Sequence, residues 1–75
     1  MALDLGHNYI SDISVLRYLP KLQILILADN KLTDISVFRE LPELVYVEFF
    51  MNDVTDITPL EGHDKLLDLN FCNNN

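Results

Sequence analysis

The sequence predicts an α/β solenoid, an arc whose parallel strands line the concave side and whose short helical segments, 3-10 or α, return along the convex side. Three observations carry this reading. Asparagine recurs at 8, 30, 52 and 74, so that 30−8, 52−30 and 74−52 are each 22. Apolar columns keep the same step: Leu3, Leu25, Val47 and Leu69; Leu5, Leu27, Phe49 and Phe71; Ile13, Ile35 and Ile57; Leu16, Phe38 and Leu60. Within one copy, Leu25, Ile26, Leu27 and Ala28 alternate with period two, which sends Leu25 and Leu27 to one buried face of a strand. A fixed period of this length marks stacked supersecondary units, because one coil cannot bury its apolar face alone.

The 75 residues divide into a partial coil 1–21, full repeats 22–43 and 44–65, and a partial coil 66–75, one solenoid domain with no recognisable cap at either end. Each coil opens with its strand, and the bends on either side bring Leu22 and Leu32 inward beside Leu25 and Leu27. The asparagine follows where the chain leaves the strand. Its amide can both donate and accept, so Asn8, Asn30, Asn52 and Asn74 are read as a structural ladder serving backbone groups that the turn leaves unpaired, not as ligands. Next come "SDIS", "TDIS" and "TDIT", in which Asp12, Asp34 and Asp56 suit caps for the exposed amides of a helix start. Calcium is the competing reading, but these aspartates stand one coil apart beside isoleucines, with no D-x-D-x-D loop. The return segments "VLRYLPKL" and "VFRELPEL" end in Leu-Pro, where proline stops a helix before the next strand. Repeat three departs from the pattern. "LEGHDKL" places His63 where Leu19 and Leu41 stand and Asp64 where Pro20 and Pro42 stand, so a looser local core is expected there, with His63 hydrogen-bonded rather than ligating a metal.

The pattern L-x-x-L-x-L-x-x-N-x-[ILV]-x-D-I-x-x-[LF], best filled from Leu22 to Phe38, resembles the leucine-rich repeat family over nearly the whole chain. The 22-residue length with Asp-Ile after the asparagine is most similar to internalin-like bacterial surface proteins, toward which "SDIS" and "TDITPLEG" lean, with the phosphatase-regulator branch second. The resemblance implies protein recognition by strand residues that point away from the core. On the internalin side it also implies a bacterial cell-surface or secreted location, with the signal outside this chain.

Carried over position by position, the concave face is formed by Ala2, Asp4, Gly6 and His7 in coil one, and by Ile24, Ile26, Ala28 and Asp29 in coil two. Coil three adds Tyr46, Glu48, Phe50 and Met51, and coil four adds Asp68, Asn70, Cys72 and Asn73. These positions differ between copies where the core columns repeat. Ile24, Ile26, Tyr46, Phe50 and Met51 make an apolar patch flanked by Asp4, Glu48 and Asp68, which is interface anatomy. Sheet packing of β-branched and aromatic residues is the competing explanation. Four strands at about 4.8 Å, each about 17 Å long, offer roughly 250 Å², well short of the ~800 Å² per partner of a standard interface. The first reading is therefore a protein-binding module that forms part of a longer array. The second is a structural or self-assembling segment that forms a homo-oligomer through its uncapped ends. Asn73, Asn74 and Asn75 are expected to be mobile.

Composition narrows the classes further. A net charge of −7 repels phosphate backbones, so no nucleic-acid partner is expected. No apolar run is long enough to span a bilayer, and none of the chain reads as a secretion signal, since repeat residues follow Met1 directly. Cys72 is the only cysteine, so an internal disulfide and C-x-x-C motifs are excluded. Cys72 and His7 lie three coils apart, roughly 14 Å, too far to share one zinc. P-loop, H-E-x-x-H and G-x-S-x-G motifs are absent. His7 and Asp29 share one phase of neighbouring coils, but no serine or cysteine nucleophile joins them, and Glu48 and Asp68 read as solvated charges. No enzyme activity, cofactor or metal is expected.

Overall fold

The structure, a computed structural model, describes residues 1–70, Asn70 by its backbone alone. The expectations for Cys72, for Asn74 as a fourth rung and for the closing asparagines lie outside the described residues. Strands β1 (Ala2–Asp4), β2 (Ile24–Ile26), β3 (Tyr46–Glu48) and β4 (Asp68–Asn70) form one parallel sheet in chain order. Every pairing advances by one repeat: Leu3 lies beside Leu25, Leu25 beside Val47, and Val47 beside Leu69. Three 3-10 segments, η1 (Ser14–Tyr18), η2 (Ser36–Glu40) and η3 (Thr58–Leu60), return the chain. This is the predicted arc. The return segments close as 3-10 turns: the Leu19 N–H reaches the Leu16 carbonyl at 2.8 Å and the Leu41 N–H that of Phe38 at 3.1 Å, just before each proline.

The strands are three residues long rather than the expected five or so, yet the ladder runs on, with the Leu5 N–H 2.8 Å from the Ile26 carbonyl and the His7 N–H 2.8 Å from that of Ala28. The chain then turns through a left-handed residue in each of the first three coils: His7, Asp29 and Met51 have φ of 59°, 58° and 58°. This conformation strains a long unbranched side chain more than an asparagine, whose enrichment there is general. Met51 is 49 % exposed, so it has little packing to lose. Met51→Asn is expected to stabilise the fold by about 0.5–1 kcal/mol, raising the melting temperature by several degrees in a thermal scan.

Between the sheet and the returns lies a core in which Leu22, Leu25, Leu27, Leu32, Phe38, Leu41, Leu44, Val47 and Phe49 are inaccessible to solvent. Phe38 comes from the return side of coil two and Phe49 from the chain just past β3. Their rings meet edge to face, with centroids 6.0 Å apart at 74°, so the two sides of neighbouring coils are joined. The outer coils are less enclosed. Val15 is 65 % exposed where Val37, its equivalent, is 6 %. In coil three η3 is two residues shorter than its counterparts and Ile57 is 42 % exposed, whereas Ile13 and Ile35 are buried. His63 spans this looser return, with Nε2 2.7 Å from the Phe38 carbonyl and Nδ1 3.2 Å from that of Leu60.

The aspartate column acts one residue earlier than a helix cap would. Asp12, Asp34 and Asp56 accept the Ser14, Ser36 and Thr58 N–H groups at 2.9, 2.8 and 2.9 Å. The cap position just before each segment is held by the intervening isoleucine, whose side chain has no capping group. Each aspartate therefore makes an Asx turn that aims the chain into its 3-10 segment. These backbone bonds, with the Ser or Thr hydroxyls second, hold all three carboxyls below the ordinary aspartate range. The folded state then binds fewer protons than the unfolded chain, so the stabilisation is complete above about pH 4 and is lost as pH falls through the lower folded values. Urea midpoints taken between about pH 6 and 2 should fall on acidification, and the triple variant Asp12→Asn/Asp34→Asn/Asp56→Asn should show a shallower fall.

Candidate protein-interaction face

Strand register places the outward side chains in columns. Ala2, Ile24, Tyr46 and Asp68 form the first, and Asp4, Ile26 and Glu48 the second, with the Asn70 backbone in register beside Glu48. Ile24 is 42 % exposed and Asp4 and Asp68 are open to solvent, while Ile26, Tyr46, Glu48 and Phe50 are half-buried. Met51 stands at the left-handed turn beyond the strand, at the margin of this patch.

Two positions differ from the sequence expectation. Ala28, placed on the concave surface by phase, is only 2 % exposed. Glu48, read as a solvated charge, accepts a short hydrogen bond from the Tyr46 hydroxyl. That bond raises the Tyr46 phenol above its ordinary value, with burial and the negative charges of Glu48 and Asp68 adding to it. Asp4, Glu48 and Asp68 make the face acidic. Asp4 is engaged too, its Oδ1 accepting the Gly6 N–H at 3.0 Å. The N–H groups of Leu5 and His7 bond toward coil two, so that of Gly6 points the other way, and Asp4 covers a donor on the open edge of β1.

The asparagines lie behind this face and stitch coil to coil. The Asn30 amide donates to Leu27 in its own coil at 2.9 Å and to Leu5 in the preceding coil at 3.0 Å, while its Oδ1 accepts the Ile10 N–H at 3.0 Å. Asn52 repeats this one coil on, donating to Phe49 and Leu27 at 2.9 Å each and accepting the Leu32 N–H at 2.9 Å. Both are buried. Asn8 is exposed and donates only to Leu5 and Gly6 of its own coil, at 2.9 and 3.1 Å.

His7 Nδ1 lies 3.0 Å from Asp29 Oδ2, a hydrogen-bonded pair whose side chains are 76 % and 50 % exposed, an arrangement open to water. Among the described residues no three His, Cys, Asp or Glu side chains converge, and no helix is long and apolar enough to cross a membrane. The described surface depressions lie in the return segments, one between the Asp12 and Asp34 turns and one beside Arg39, Thr58 and His63. Sequence reasoning missed the left-handed turn residues and the Tyr46–Glu48 bond. His and Asp favour the left-handed region, but Met51 does not, so the column carries no uniform residue type that would mark the turn, and a period-two pattern cannot show that two residues on one face bond to each other.

The family profile described as leucine rich repeats (2 copies) matches residues 2–40 and again 20–62. The fold is similar to that of an internalin C2 (InlC2) from Listeria monocytogenes, with a TM-score of 0.94 and 38 % identity over 97 % of this chain and 32 % of that one. It is also similar to an internalin (InlF) from the same organism, with a TM-score of 0.87 and 33 % identity over 89 % of this chain and 20 % of that one. The chain thus spans less than half the length of either. Among curated protein sequences there is no match.

Proposed function

This chain belongs to the leucine-rich repeat family, and from that premise we propose that it is a protein-binding module whose partner docks on the concave strand face. One observation carries the proposal: Ile24, Ile26, Tyr46 and Phe50 lie on adjacent coils as accessible apolar surface with acidic neighbours, while the opposite face of the same strands is filled by the repeating core. The four strands offer less area than a standard interface, so the module is proposed to act alongside further coils of the same kind. We assign it no catalytic role.

Binders selected from a displayed library against the folded chain test this reading. They should lose affinity for Tyr46→Ala and Phe50→Ala while retaining it for Arg17→Ala on η1, with all three variants keeping the wild-type circular dichroism spectrum. Binders indifferent to both aromatic changes would sink it. Self-association has its own supporting observation, the exposure of Val15, Tyr18 and Leu67 on the outer coils. It requires a solution mass that rises with concentration in light scattering, and a constant monomer mass removes it.

A further inference from the structure

The charges of the chain are segregated. All of its Lys and Arg residues, Arg17, Lys21, Lys31, Arg39 and Lys65, fall in turns and return segments, outside the strand columns. Three are already engaged there: Arg17 over the Tyr18 ring, Arg39 with the Thr58 hydroxyl, and Lys65 with Glu43. The strand columns carry Asp4, Glu48 and Asp68 and no cation, and the neighbouring His7 is paired with Asp29. Apolar surface and uncompensated negative charge therefore share one face. Asp4 and Glu48 each use one carboxylate oxygen internally, and among the described residues nothing donates to the other oxygen.

The spacing of these groups selects a shape. Asp4, Ile26 and Glu48 occupy one column on three successive strands, so the two acids stand about 9.6 Å apart along the solenoid axis with Ile26 between them. In an α-helix, residues i and i+7 rise about 10.5 Å and share a face with i+3 and i+4. An extended strand repeats its face about every 6.8 Å and misses this spacing. Polyproline II repeats it about every 9.3 Å, but presents no residue between to meet Ile26. Along the axis the four strands offer roughly 15 Å, the length of about ten helical residues, and across it the three-residue strands, about 10 Å long, match the ~10 Å diameter of one helix.

Resting on the concave-face reading, we propose that the partner is a short basic amphipathic helix laid along the solenoid axis, with apolar residues at i+3 and i+4 on Ile24 and Ile26 and Lys or Arg at i and i+7 facing Asp4 and Glu48. The Tyr46 phenol is raised first by its bond to Glu48 and by burial, and the negative charges of Glu48 and Asp68 add to it in the same direction. The isotopically labelled chain titrated by NMR with a hydrocarbon-stapled peptide, Lys at i and i+7 and Leu at i+3 and i+4, tests this. The expected result is saturable shifts at the amides of Ile24, Ile26, Tyr46 and Glu48, with affinity falling about tenfold when both peptide lysines become glutamate. A similar fall is expected for Asp4→Asn/Glu48→Gln, whose amides keep the bonds to the Gly6 N–H and the Tyr46 hydroxyl. Absence of binding, equal binding by the glutamate peptide or by a proline-broken one, or indifference to the double variant would overturn the helix proposal. The concave-face reading fails separately, if library-selected binders shift only return-segment amides.

Discussion

Phe38→Ala is expected to cost about 3–5 kcal/mol, the largest effect of any single truncation in this chain. The ring is wholly buried, and it is the point where the return side of coil two meets Phe49 of coil three. A domain of this size has a total stability of only about 4–11 kcal/mol, so the variant should be partly or wholly unfolded at room temperature. Phe38→Leu provides the internal control. Leu16 fills the same column in coil one and Leu60 in coil three, so leucine is accepted by the fold at this phase and the loss should be about 1–2 kcal/mol. The edge-to-face contact is a separable part. A double-mutant cycle with Phe49→Ala should show about 0.5–1.5 kcal/mol of coupling beyond lost burial, read from urea midpoints on leucine-background variants if the alanine variants do not fold. Phe38→Ala within about 1 kcal/mol of wild type would mean that coils two and three do not share one core.

How much of this was legible in the sequence depends on what a repeat encodes. Residues that must meet their own equivalents in the next coil, such as Leu25 beside Val47 or Asn30 below Asn52, recur with the period, and the period alone gives parallel strands in chain order. The family was accessible for the same reason. Residues whose environment is set within one coil leave no periodic trace. Ala28 is buried although its phase points outward, and Glu48 is bonded because Tyr46 happens to stand two residues before it. The turn at His7, Asp29 and Met51 is periodic in backbone but not in residue type, since the left-handed conformation is imposed by the coil and no glycine marks it. The aspartate column was visible, but whether it would act at the cap position or one residue earlier is a matter of hydrogen-bond geometry, and spacing cannot decide that. The candidate face falls between these cases: its phase was readable, while the accessibility and bonding of its members were not.

Asn52→Ala should destabilise the fold by about 3 kcal/mol, and the comparison with Asn8→Ala gives that number its meaning. Both residues occupy the same phase of the repeat. Asn52 is buried, and its loss leaves the Leu32 N–H without its acceptor and removes a donor from the Leu27 and Phe49 carbonyls, groups that water cannot reach without opening the stack. Asn8 is exposed and serves only two carbonyls of its own coil, so Asn8→Ala should cost no more than about 1 kcal/mol. Asn52→Asp separates accepting from donating. A carboxylate still accepts from Leu32 but meets two carbonyl oxygens where the amide donated, and burial raises its folded pKa above the unfolded value. That variant should regain stability as the pH is lowered toward and below the unfolded aspartate pKa of about 4, opposite in sign to the effect of Asp12, Asp34 and Asp56. Equal losses for Asn8→Ala and Asn52→Ala would show that the asparagine serves only its own turn, and the coil-to-coil bonds would then contribute nothing measurable. A loss confined to Asn52 would assign the ladder to the joint between coils, the place where a solenoid must gain its stability because no coil can hold its fold alone.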